Sequence, residues 1–168
     1  MRQIRTILAV SAVTAVTVSA LTAAAPADTR RAQSKNIVER AAAAGNFKTL
    51  ASLLKRAGLV ETLEGKGPYT VFAPTDKAFA KVPKATLTRL GRNKAALRSV
   101  LLLHVAKGRL TAAKVTQRPA VKTLNGERLA IRARTSKVFV GRARVVIPDV
   151  TASNGVIHAI NRVLVPAS

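Results

Sequence analysis

Apolar positions along the chain recur at two spacings, and the change from one to the other falls near residue 123. Phe47, Leu50, Leu53 and Leu54 sit at i, i+3, i+6 and i+7, which predicts an amphipathic helix. Asn46 is placed to cap it and Gly58 to end it. Ahead of it, Asn36-Ile37-Val38-Glu39 has the spacing of a capping box, so a short helix should run to Ala44 and close at Gly45. Leu59, Val60 and Leu63 read as a helical turn. Residues 69–73 form a compact apolar run of strand length, stopped by Pro74, and Thr75 or Asp76 caps the helix that buries Ala78 and Phe79. Leu87 and Leu90 mark a helix between Pro83 and Gly91. Asn93 caps another, in which Leu97, Val100, Leu101 and His104 share one stripe.

From Thr123 the spacing drops to two. Leu129, Ile131 and Ala133 alternate with Arg128, Arg132 and Arg134, so the first set faces a core and the arginines face water. Residues 138–140 and 145–147 read as two strands around a Gly141-Arg142 turn, and 156–165 as a last strand. Asn125-Gly126 and Asn154-Gly155 are turn signals that supply positive φ. Helices first and strands afterwards argue an α+β fold.

The N-terminus adds a different pattern. Arg2 and Arg5 precede an apolar run over 6–25, followed by Ala25-Pro26-Ala27. This predicts a secretory signal peptide over 1–27, a basic polar linker over 28–35 and one domain over 36–168. An uncleaved anchor is the alternative use of the same run, and no other stretch has membrane-spanning length. With no cysteine, the domain must be held by packing, and thiol or Cys-type metal chemistry is excluded.

Charge is the strongest compositional signal. The net charge is +22, and residues 81–144 hold 17 Lys/Arg against the single acid Glu127. Such a field attracts polyanions, although a solvated surface that maintains solubility has the same composition. Arg128, Arg132 and Arg134 leave one side of one strand, and Arg142 and Arg144 are placed to extend that row. Arginine favours bidentate contact with carboxylate, sulfate or phosphate. Phe47, Tyr69, Phe72, Phe79 and Phe139 all sit in apolar surroundings, leaving no ring for base stacking and no sequence-specific nucleic-acid role.

Catalytic material is scarce. His104 and His158 are the only histidines; two ligands are too few for a structural zinc, and each lies among aliphatic residues where local hydrogen bonding is the expected role. Thr75 and Asp76 read as a helix cap and Asp149 as turn chemistry. No nucleophile–base pair, carboxylate pair or phosphate-cradling loop is legible, so neither an enzyme nor a cofactor is expected.

Three segments carry a resemblance: Gly67-Pro68-Tyr69-Thr70-Val71-Phe72-Ala73-Pro74-Thr75-Asp76-Lys77-Ala78-Phe79, Leu101-Leu102-Leu103-His104-Val105-Ala106-Lys107-Gly108, and Ala152-Ser153-Asn154-Gly155-Val156-Ile157-His158 running on to Pro166. In this order and spacing they resemble the signature segments of the fasciclin (FAS1) domain, over roughly 36–166. The resemblance implies a wedge-shaped β-sandwich with helices packed at one end. It implies that Thr75, Asp76, His104, Asn154, Gly155 and His158 are mainly structural. It also implies a secreted, periplasmic or cell-envelope adhesion module that meets cell-surface or matrix proteins; the basic charge, apart from the resemblance, suggests polyanions such as acidic polysaccharides or the backbone of extracellular DNA as the alternative partners. In the family the central motif normally reads Tyr-His and has been linked with integrin binding; here Leu103 stands at the tyrosine. Some members bind pigments, but no distinctive apolar site beyond the core is legible here.

Overall fold

A computed structural model describes residues 35–166; the signal-peptide reading and nearly all of the linker lie outside them. The capping box forms at the start of α1 (Ile37–Ala43): Asn36 Oδ1 accepts from the Glu39 amide at 2.9 Å, and the Glu39 carboxylate accepts from the Asn36 amide at 3.0 Å. Helix α2 (Lys48–Ala57) buries Leu50 and Leu54 beside Phe47 and ends at Gly58, which is left-handed at φ 67°. Its cap differs from expectation. Phe47, not Asn46, is the N-cap residue and makes no side-chain cap. The carboxylate of Asp76, distant in sequence, accepts from the Thr49 amide at 2.9 Å and the Lys48 amide at 3.3 Å instead.

Helix α3 (Val60–Glu64) leads into strand β1 (Tyr69–Pro74). Thr75 then caps α4 (Asp76–Ala80), its hydroxyl accepting from the Ala78 amide. Helix α5 (Lys84–Arg92) continues through Gly91, where a stop was expected. The break comes at extended Asn93, whose side chain caps α6 (Lys94–Leu103) by accepting from the Ala96 amide at 3.0 Å.

Among the described residues, seven strands follow the order β2 (Val105–Lys107), β1, β7 (Gly155–Ile160), β6 (Ala143–Ala152), β5 (Lys137–Val140), β4 (Arg128–Arg134) and β3 (Ala120–Lys122). Of these, β1 and β7 pair in parallel and the other ladders are antiparallel. A bridge between Ala106 and Thr123 joins the ends, so one ladder curls nearly shut and supplies both faces of the wedge. Between β2 and β3 lies a short helix, α7 (Ala112–Thr116), which no clear periodicity announced.

The core has two parts with β1 and β7 between them. Val71, Ala73, Ile157 and Ala159 face the helices with Leu50, Leu54, Phe79 and Leu101. Phe72 and Ile160 face the interior of the curled sheet with Leu103, Ile131, Val140 and Ala143. Burial on both faces explains why β1 reads as a continuous apolar run rather than an alternating one. Strand β7 is shorter than expected and ends at Ile160. There the Asn161 amide still donates to the Arg144 carbonyl at 3.0 Å, but its side chain instead of its carbonyl accepts from the Arg144 amide at 2.9 Å, and the chain turns away. Ala133 is exposed, because β4 runs past the edge of the core.

Candidate functional site

The two histidines are built into the interior. His104 ends α6 and is buried; its Nδ1–H donates to the Val100 carbonyl at 2.7 Å, and its Nε2 accepts from the Leu164 amide at 3.0 Å. His158 lies on β7, buried and stacked on Phe72 with ring centroids 5.7 Å apart. Its Nε2–H donates to the Leu110 carbonyl at 2.7 Å, and its Nδ1 accepts from the Asp149 amide at 3.2 Å. The carbonyl and amide partners fix the tautomer of each ring and use both nitrogens. Burial holds His104 down at about 4, with the bond to Val100 opposing it only in part. Burial likewise lowers His158, against the pull of its Leu110 bond and the Asp149 charge. Neither ring has a nitrogen left for a metal or a substrate. Among the described residues no cluster of His, Asp or Glu is arranged to hold an ion.

Asn154 and Gly155 form a junction. Asn154 Oδ1 accepts from the Ile37 amide at 3.0 Å, its Nδ2 donates to the Leu63 carbonyl at 2.6 Å and the Gly65 carbonyl at 3.2 Å, and its own carbonyl accepts from the Tyr69 amide. One residue, through its side chain and its carbonyl, thereby ties α1 and α3 to the start of β1. Neither residue has positive φ, contrary to the turn expectation, whereas Gly126 does at φ 91°. Gly155 is required for a different reason: a Cβ there would fall on the Tyr69 carbonyl oxygen and 2.7 Å from the Ile37 side chain. Only a bare Cα lets β7 approach β1 so closely.

The two acids beside these motifs are backbone clamps. Burial pushes Asp76 up, but the bonds from Thr49 and Lys48 outweigh it and hold the carboxyl below its usual range. Asp149 sits in the irregular part of β6 at φ 55°, and its carboxylate accepts from the Ala112 amide at 2.8 Å at the start of α7. Thr70, which no sequence signal marked, is fully buried; its hydroxyl donates to the Gly108 carbonyl at 2.6 Å and accepts from the Leu110 amide at 2.8 Å.

The cations lie outside. Arg128, Arg132 and Arg134 are exposed on the outer face of β4. Register places Arg132 opposite Phe139 and Phe139 opposite Arg144, so these three share one row across β4, β5 and β6. Phe139 is half-buried on that outer face, which corrects the expectation that every ring belongs to the interior. Arg142 is exposed in the β5–β6 turn and lines a groove with Leu129 and Leu164.

Comparison with known proteins agrees with this geometry. A model of the fasciclin domain matches residues 45–166. The chain belongs to the fasciclin family. Protein sll1483 of Synechocystis is 47% identical over 132 residues, covering 77% of this chain and 73% of that protein. Transforming growth factor-beta-induced protein ig-h3 of Sus scrofa is 38% identical over 120 residues, 71% of this chain but only 18% of that longer protein. Among solved structures, a FAS1 domain pair from the insect cell adhesion molecule fasciclin I matches with TM-score 0.58 and 23% identity, over 71% of this chain and 45% of that one. The likeness to that pair concerns the fold.

Within the fasciclin domain, the departures from the family pattern have local explanations. Leu103, at the tyrosine position, is 0% exposed and packs inside the curled sheet, so its side chain offers nothing to a partner. Asn161, just past the end of β7, is engaged with the Arg144 backbone through both its side chain and its amide. The enclosed hollow between the helices and His104 holds about 20 Å³, room for about one water and far too little for a pigment.

Proposed function

We propose that this fasciclin domain is a secreted, non-enzymatic interaction module that attaches cells or envelope to their surroundings by binding surface or matrix polymers. The observation that carries this reading is where the chemistry lies. Both histidines, Thr75, Asp76 and Asp149 are engaged by backbone partners, while the outer face of β4–β6 presents Arg128, Arg132, Arg134 and Arg144. Adhesion is what the printed description of the insect relative names, and the apolar leader over 6–25 supports export. Among the described residues, no helix is long and apolar enough to cross a membrane.

Within that role, acidic polymers are the favoured partner. Guanidinium groups spaced along a strand meet repeated carboxylates or sulfates, and Phe139 between Arg132 and Arg144 gives a sugar ring an apolar surface. Attachment tests the role. Deleting the gene should reduce cell attachment and biofilm mass, and adding back purified protein should restore both. Attachment unchanged by deletion would remove the adhesion reading.

A further inference from the structure

The strongest concentration of unassigned chemistry lies at one end of the curled sheet. A groove of about 920 Å³ is lined by the segment from Ala78 to Arg89, the β5–β6 turn and residues 162–166. Lys81 and Arg89 come from the helical segment, Arg142 from the β5–β6 turn and Arg162 from the chain after β7. All four are exposed, and no carboxylate among the described residues lines the groove. Its apolar surface comes from Val82, Pro83, Val163 and Val165, the last 72% exposed. His104 holds this surface in place, since its Nε2 takes the Leu164 amide and seats Leu164 in the core.

The groove does not end at its own rim. Lys81 also lines a neighbouring hollow of about 380 Å³, together with Lys77, Arg144 and Asn161. Asp76 is the one acid there, and its carboxylate is held by the α2 amides. Arg144 in turn lies beside Phe139 and the sheet-face row. Arg40, Arg56 and Arg109 donate their guanidinium groups to the carbonyls of Thr151, Gly91 and Ala152. Among the described residues the groove cations have no such partner.

We propose that this groove and the adjoining hollow form a track that seats a linear acidic polysaccharide. The inference rests on the polymer-binding reading above and gives the polymer a path. Cations brought from separate segments to line one concave channel suit a thin chain charged at intervals, whereas a lipid surface would meet a flat or convex patch. Aliphatic residues along the channel suit the C–H faces of sugar rings. Single-stranded nucleic acid would want aromatic platforms, and the groove lining has none.

The test compares equal charge changes at three places, using polygalacturonate and a heparin fragment as probes and the mature chain as protein. One variant carries Arg89→Glu, Arg142→Glu and Arg162→Glu in the groove. The second carries Arg128→Glu, Arg132→Glu and Arg134→Glu on the sheet face. The third carries Lys107→Glu, Lys114→Glu and Arg118→Glu, exposed residues outside both the groove and the sheet-face row. Melting curves confirm folding, and the single changes Arg89→Gln and Arg142→Gln replace the first triple if it melts early. The groove triple should weaken binding by roughly thirtyfold or more, and the third by only a few-fold. Equal losses from all three would show a general field and overturn the track while leaving polymer binding intact. Loss from the sheet-face triple alone would also overturn the track and leave the sheet-face site standing. Wild-type binding no tighter than that of an unrelated protein of equal charge would overturn both readings. Duplex DNA showing the same dependence on the groove residues, with no binding of polygalacturonate, would overturn the choice of polymer.

Discussion

His104 and His158 show how a residue that looks chemical becomes structural. Each ring donates to one carbonyl and accepts one amide, and one bond of each spans a long sequence separation: 60 residues for the Leu164 amide on His104 and 48 for the Leu110 carbonyl that accepts from His158. Burial penalises the charged form of both rings, and protonation would also turn the accepting nitrogen into a donor facing an N–H, so the folded state resists it. The folded pKa of each therefore lies below the unfolded 6.5; for His104 the stabilisation is complete above about pH 6.5 and lost as pH falls towards about 4. For His104 that difference is worth about 3 kcal/mol. Melting temperature should fall over this window, and His104→Leu should flatten that fall. The same substitution should cost about 2–5 kcal/mol at neutral pH, because it leaves the Val100 carbonyl and the Leu164 amide without partners. Denaturant unfolding at pH 7 and pH 5 measures both effects. Gly155→Ala should be worse, exceeding about 4 kcal/mol or preventing folding, because its methyl group would collide with the Tyr69 backbone. A well-folded Gly155→Ala protein would contradict the close β1–β7 approach. The expectation that the histidines brace the interior was available from their aliphatic neighbours. The role of Gly155 was not, since an Asn-Gly pair signals a turn and says nothing of which carbonyl will press against it.

At the level of elements, what was legible followed whether the stabilising contact was local. The capping box at Asn36 and Glu39, the Asn93 cap and the Asn125-Gly126 turn connect residues a few positions apart, and their spacing shows in the chain. Asp76 caps α2 from 27 residues away, and no spacing rule reaches that far. Asp76→Ala should therefore destabilise by about 1 kcal/mol through α2 while leaving α4 its Thr75 cap. Hydrogen exchange should show faster exchange of the Lys48 and Thr49 amides; unchanged exchange there would contradict the cap. Helix α7 and strand β3 were missed for a related reason. Each is short, and each offers one fully buried aliphatic residue, Val115 or Val121, too little to set a period.

For the whole molecule, the main result is a separation of polar groups. Titratable groups inside are consumed by the backbone, and basic groups collect outside around the groove and the β4–β6 face. The α+β order and the alternation of arginines with aliphatic residues in β4 were legible because period-two patterning reports a half-buried sheet directly. The groove was not, because Lys81, Arg89, Arg142 and Arg162 lie on four different segments that only the curled sheet assembles. The account depends on those cations forming several ionic contacts at once. Affinity of the purified protein for polygalacturonate, measured across ionic strength, tests this most directly. About six contacts predict a fall of two to three orders of magnitude between roughly 50 and 200 mM salt. Affinity that stays flat over that range would mean that the basic exterior makes no ionic contact with the polymer, and would contradict the account.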